Sequence, residues 1–362
     1  MDALYRVLRF KAALIISCIL LALFSIRVQA QVTPNELSRL SLEELLDIDI
    51  GEIEGEEKWF LSYDFSYLEV GRYQKGTERL SFDDVLFSPG KTRTTENFPI
   101  VPTFIEQKVH AFSLGREISP HVSLGITVPF VQQETMHISS VPNFDEFILK
   151  SSGIGDFSVF SQYKFLDALG SSGKFGIGVS FPTGSINAVG DTPRAGSGTL
   201  ERLPYTMQIG SGTYDILAAL SYEKIVGHWA YGANASATIR TGRNANNYRL
   251  GNNIGLDISA QYKAWKRVQP TLFASIRKTK QIVGRDESLA NISAPFPFGA
   301  SITDPGNFGG TKVKIGTKVK FCISKDCGFS IALKGSLPLY QNLNGIQLRE
   351  KFNLSSAVNF SF

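Results

Sequence analysis

Cysteine and histidine are scarce in this chain, neither sign of charge is in large excess, and long apolar runs are nearly absent. Three Cys and four His occur in 362 residues. His110, His121, His137 and His228 are scattered, so no run has the ligand spacing of a zinc or other soft-metal centre. Lys plus Arg number 37 against 33 Asp plus Glu, which leaves no basic excess to attract nucleic acid. No phosphate-cradling glycine loop marks an energised transporter, and no cofactor is implied. Gly (33) and Phe (26) are the abundant types.

The single long apolar run stands at the start. Arg6, Arg9 and Lys11 precede an almost wholly apolar stretch from Ala12 to Ile26, and Val28-Gln29-Ala30 ends on the small residue a signal peptidase needs. A leader over 1–30 is therefore expected. Cys18 superficially fits a lipoprotein site, but only six residues separate it from Lys11 and the apolar run continues past it. Export to an oxidising compartment makes a disulfide between Cys322 and Cys327 the expected fate of the remaining pair, stapling a turn. Residues 31–56 are expected to hold a short periplasmic helix and linker. Thr33 and Pro34 open it, and Leu37, Leu40, Leu45 and Leu46 share one face.

Period-two alternation dominates the rest. From Lys351 to Phe362, the residues Phe352, Leu354, Val358, Phe360 and Phe362 fall on one parity and polar residues fill the other. Asn253 to Ala264 and Tyr231 to Arg240 repeat the device. Together with 57–69, 103–115, 119–134, 153–165, 173–183, 207–224, 268–283, 309–322 and 327–338, these segments give twelve expected strands. The connections between them alternate long and short throughout, from 70–102 and 116–118 to 323–326 and 339–350. Residues 57–362 are thus expected to form an all-β, single antiparallel transmembrane β-barrel of twelve strands in a bacterial outer membrane, with both termini periplasmic. A soluble sandwich has no reason to sort its loop lengths by parity. At this size the backbone cylinder is about 24 Å across.

Parity also selects candidate lumen-lining residues. Lys312, Lys314, Lys318 and Lys320 share a face of one strand, where hydrocarbon would be costly. Asp156, Asp215, Arg240, Asp257, Lys263 and Arg277 have inward parity, with Glu223 near them; ordinary structural carboxylates are the alternative for Asp156 and Asp215. Phe362, an aromatic carboxyl terminus, resembles the signal read by the barrel assembly machinery.

The segments "GIGDFSVFSQYKF" (153–165), "GIGVSFPTG" (176–184), "GSGTYDILAALSYEK" (210–224) and the closing "PLYQNLNGIQLREKFNLSSAVNFSF" resemble the outer-membrane family associated with meta-pathway phenol degradation, also described as outer-membrane transporters. The resemblance implies passive passage of small solutes, aromatic or apolar ones among them. Outer-membrane lipid, lipopolysaccharide and the assembly machinery would be the chain's other partners. Two other readings stay open. A phospholipase-like enzyme would need a His, with His110 the candidate, beside a nucleophile at the outer leaflet. A structural or adhesive barrel would use its large loops.

Overall fold

A computed structural model describes residues 59–193 and 198–362. The expected leader and the expected helix within 31–56 lie outside those residues. Strands follow in the order β1 (Trp59–Gly76), β2 (Glu78–Leu80), β3 (Ile100–Ser119), β4 (Val122–Ser139), β5 (Glu146–Ile154), β6 (Ser158–Ala168), β7 (Ser171–Ser180), β8 (Val189–Asp191), β9 (Leu200–Arg202), β10 (Asp215–Val226), β11 (Trp229–Arg240), β12 (Tyr248–Arg249), β13 (Asn253–Tyr262), β14 (Val268–Thr279), β15 (Val283–Gly284), β16 (Gly310–Cys322) and β17 (Phe329–Ser361). A one-turn helix, Phe82–Val85, is capped by Ser81.

The wall is a closed antiparallel cylinder. β17, β16, β14, β13, β11, β10, β7, β6, β4, β3 and β1 are bonded in that order, and β17 returns to β1 through a register running from Phe60 opposite Ser361 to Tyr73 opposite Leu348. Eleven strands therefore close the barrel where the sequence reading expects twelve. The difference lies at the end of the chain. The expected strands 327–338 and 351–362 are one continuous 33-residue span, and the expected loop 339–350 is part of it. β17 doubles back at Asn344–Gly345, where Gly345 takes φ +60°, and the Ser361 N–H donates to the Gly328 carbonyl at 2.8 Å. Its first half flanks β16 and its second half flanks β1, so β17 crosses the wall twice. An all-antiparallel ring closes only with such an even number of crossings.

Alternation sets the faces. On β13, Ile254, Leu256 and Ile258 point outward and are exposed, while Asp257, Ser259 and Gln261 point inward. Leu124, Ile126 and Phe130 do the same on β4 over Ser123, Thr127 and Val131. An apolar outer face over a polar or small-residue inner face is the inverse of a soluble barrel and fits a hydrocarbon surround. Aromatic rings gather at the end of the wall where the turns are short: Trp229, Tyr262 and Trp265 meet at 5.1 and 5.4 Å, and Phe360 meets Phe362 at 5.3 Å.

Turn lengths sort by end as expected, with one exception. Residues 120–121, 169–170, 227–228, 263–267 and 323–328 lie at one end, and 77–99, 140–145, 181–214, 241–252 and 280–309 at the other. The exception is Asn344–Gly345, the tightest turn at the long-loop end. The expected loop 135–152 is mostly wall, because β4 continues to Ser139 and β5 begins at Glu146. Conversely, the strand expected over 207–224 begins only at Asp215.

The bridge between Cys322 and Cys327 is present in the β16–β17 connection. It closes a small loop, so chain-entropy arguments assign it about 2 kcal/mol. Replacing both cysteines with serine should lower unfolding stability by no more than that and leave any conductance unchanged; urea titration in liposomes beside single-channel recording checks both halves.

Candidate functional site

The inner wall carries two distinct regions. Toward the long-loop end it is covered by the segment between β7 and β10, and the covering begins at a wall defect. Pro129 has no N–H to give the ladder, so β4 pairs with β5 as far as Ile154 and with β6 from Ser158, leaving Gly155, Asp156 and Phe157 as a break. The Asp156 carboxylate turns inward there. One oxygen accepts the Gly184 N–H at 2.9 Å; the other accepts the Ser211 N–H at 2.9 Å and the Ser211 hydroxyl at 2.8 Å. Gly184 and Gly210 let the two legs of the loop cross at this point: a Cβ on Gly210 would lie 2.3 Å from the Gly184 carbonyl oxygen.

Between these anchors the chain lies against the wall. After a single 3-10 turn, Tyr205–Met207, the Met207 carbonyl accepts from Ser151 Oγ at 2.7 Å and the Gln208 carbonyl from Gln133 Nε2 at 3.2 Å. Ile209 packs on Val109 and Val131, inward residues of β3 and β4. Gln208 holds the loop to itself, donating to the Leu203 carbonyl at 2.7 Å and accepting from the Ala188 N–H at 2.9 Å. On the far side Tyr205 meets Tyr248 and Phe308, and Arg202 pairs with Asp286 at 3.1 Å. Burial pushes the Tyr205 hydroxyl up to about 12, so it stays neutral while it accepts the Asp286 N–H.

Asp215 and Arg240 complete the same network. They pair at 2.6 Å, fully buried, and Asp215 also accepts from Thr213 Oγ at 2.7 Å. Asn244 donates to the Ser211 carbonyl at 2.9 Å. Asp156 and Asp215, with Arg240, hold a loop inside the barrel, which for the two carboxylates is the structural role weighed above against lumen lining. Gln133, Ser151, Gln208 and Ser211 were not singled out from sequence. Their one visible trace was the glycine-rich run 210–213, which the alternation reading takes for a strand start.

The second region, toward the short-turn end, has no such cover among the described residues. Gly232, Asn234, Ser236, Ser259 and Gln261 face inward and are half-exposed. Asp257 and Arg277 lie 3.6 Å apart here, and Glu223 and Lys263 pair at 2.9 Å. The lysine row occupies the inner face of β16 and divides. Lys312 and Lys314 converge on buried Glu350 at 3.3 and 2.7 Å, a partner the sequence reading places in a loop. Lys318 faces Lys334 across the ladder, and Lys334 stands 5.0 Å over the Phe273 ring, itself seated on Gly316.

The histidines separate. His137, expected in a loop, is an inward residue of β4 stacked on Phe147 at 4.5 Å. His110 is on the outer face, where it shares a 2.8 Å hydrogen bond with the Tyr63 hydroxyl, among Phe65, Phe112 and Phe130. Among the described residues, no three His, Cys, Asp or Glu side chains are grouped to hold a metal ion.

No family model matches the chain, and no curated protein matches it. Among solved structures, it is similar to an outer membrane channel from Pseudomonas putida F1, with TM-score 0.55 and 11% identity over 87% of this chain and 100% of that one. Weaker likenesses include the toluene transporter TbuX of Ralstonia pickettii, TM-score 0.42 and 12% identity over 91% of this chain and 92% of the other. The translocator domain of the autotransporter NalP from Neisseria meningitidis gives 0.41 and 10% over 88% and 93%. The first establishes a shared barrel fold; the other two fall too low to add to it.

Proposed function

We propose that this chain is an outer-membrane channel through which small solutes pass passively, apolar and aromatic compounds among them. The observation that carries this reading is the two-part interior: an open polar section near the short-turn end, and above it a loop segment pinned against the inner wall by Asp156 and Asp215. A wall that only anchors loops has no use for a half-exposed polar inner face. The outward apolar band supports placement in the membrane, and the turn asymmetry supports periplasmic short turns, which puts the carboxyl terminus on the periplasmic side. In this reading residues 1–30 are a cleaved leader, 31–56 hold a periplasmic helix, and Phe362 is the signal for the assembly machinery. The likeness to the phenol-degradation family supports aromatic solutes. The phospholipase reading has no support at His110, whose outer-face neighbours are aromatic rings.

On the inner wall near the short-turn end Glu223 pairs with Lys263 and Asp257 with Arg277, and Lys318 lies opposite Lys334 with Lys320 two residues along the same face. Reconstituted protein should show discrete conductance steps. Replacing Lys318 and Lys320 with glutamate should turn the reversal potential in a salt gradient toward cations. Absence of steps from folded protein would overturn the channel reading; an unchanged reversal potential would remove the lysine patch from the conduction path.

A further inference from the structure

The outer face of the wall carries an arginine cluster at the long-loop end. β1 lies between β2 and the second half of β17, with Tyr73 opposite both Leu80 and Leu348, and Gln74 opposite both Arg79 and Gln347. Tyr73, Leu80 and Leu348 pack together in the interior, and Arg79 and Arg349 take the alternate parity; Gln74 and Gln347 between them are buried and donate to the Gln341 and Gly309 carbonyls. Arg72 sits beside Arg349 where the β1 register shifts, in a left-handed backbone with φ +61° that lifts its side chain out of the ladder. Arg72 and Arg79 are exposed, Arg349 is half-covered, and the charges of both neighbours act on the Arg349 guanidinium.

Three like charges held together need a counter-charge, and three of the neighbouring acids are engaged elsewhere. Glu96 pairs with Lys75, Glu350 faces inward to Lys312 and Lys314, and Glu69 accepts the Tyr67 hydroxyl at 2.7 Å. Arg349 Nε is buried with no hydrogen-bond partner among the described residues. Position narrows the ligand. Arg349 is three residues beyond Phe352, the upper end of the outward apolar row, or about 10 Å along the strand. That distance leaves the hydrocarbon and enters the headgroup layer.

We propose that Arg72, Arg79 and Arg349 form a phosphate-binding site for the phosphorylated headgroup of a glycolipid in the leaflet at the long-loop end. Guanidinium forks match phosphate oxygens two at a time, and the exposed pair supplies charge around the fixed, half-buried Arg349. The inference rests on the membrane orientation proposed above. It differs from the conduction claim in using only the outer face.

The test is binding of bis-phosphorylated lipid A to detergent-solubilised full chain by native mass spectrometry, beside dephosphorylated lipid A and inorganic phosphate. The wild type should bind the phosphorylated lipid, and Arg72→Gln/Arg79→Gln/Arg349→Gln should weaken it at least about ten-fold, as loss of charge-assisted hydrogen bonds requires. Arg349→Gln alone should cost several-fold and serves if the triple variant does not fold. Conductance of the same samples should be unchanged, which keeps a failed site distinct from a failed channel. Absent wild-type binding, equal binding by variant and wild type, or equal binding of the dephosphorylated lipid would overturn the proposal. Displacement of the lipid by low-millimolar inorganic phosphate would overturn the lipid assignment and leave a free-anion site.

Discussion

Replacing Asp156 with alanine is expected to raise single-channel conductance several-fold while the barrel stays folded. The carboxylate receives three donors from two legs of one loop, Gly184 and Ser211, and sits in a break of the wall where no ladder bond depends on it. A hydrogen bond to a charged group contributes about 1.5–3 kcal/mol, so removing the acceptor frees several kcal/mol of restraint on the loop and leaves the strand pairs intact. Other holds on 205–211 remain, among them the Met207 and Gln208 carbonyls on Ser151 and Gln133, the Ser211 carbonyl on Asn244, the contacts of Tyr205 with Tyr248 and Phe308, and the burial of Ile209, but none of them carries a charge-assisted bond. Asp156→Asn, which keeps the shape and part of the bonding, should fall between. Planar-bilayer recording of the three proteins decides it: equal conductance would mean that the pinned segment does not limit flow.

The largest loss of stability is expected from Arg240→Met. Asp215 has no exposure, and the substitution removes the guanidinium paired with its carboxylate at 2.6 Å while the Thr213 and Ser211 hydroxyls stay. Removing one partner of a buried pair costs about 3–5 kcal/mol, whereas replacing both with neutral groups costs far less. The double variant Asp215→Asn/Arg240→Met should accordingly recover most of what Arg240→Met loses. Urea unfolding in liposomes, followed by tryptophan fluorescence, measures both. Equal destabilisation by the single and double variants would show that shape, and not charge, holds this corner.

Much of the wall was legible because lipid makes alternation obligatory. β13, β16 and the last half of β17 read directly. The reading fails where the inner face stops meeting water. Thr135 and His137 look like loop residues by polarity, yet they are strand residues covered by the inserted segment. The register shift at Lys351 moves Glu350 and Leu348 onto the inward face against the parity of Phe352 and Leu354, so the alternation seems to end there. The Asn344–Gly345 pair was the surviving turn signal within that stretch. The inserted segment itself carries no period at all. Asp156 and Asp215 could be chosen by parity, but their partners Ser211, Gly184 and Arg240 come together only through the fold.

The central claim is that the barrel passes small solutes through its lumen, and uptake into liposomes tests it most directly. Vesicles holding folded wild-type protein should take up a small aromatic solute and a small sugar faster than protein-free vesicles, and Asp156→Ala vesicles faster still. Uptake no faster than the protein-free rate for every solute, with both proteins shown to be folded and inserted, would contradict the account.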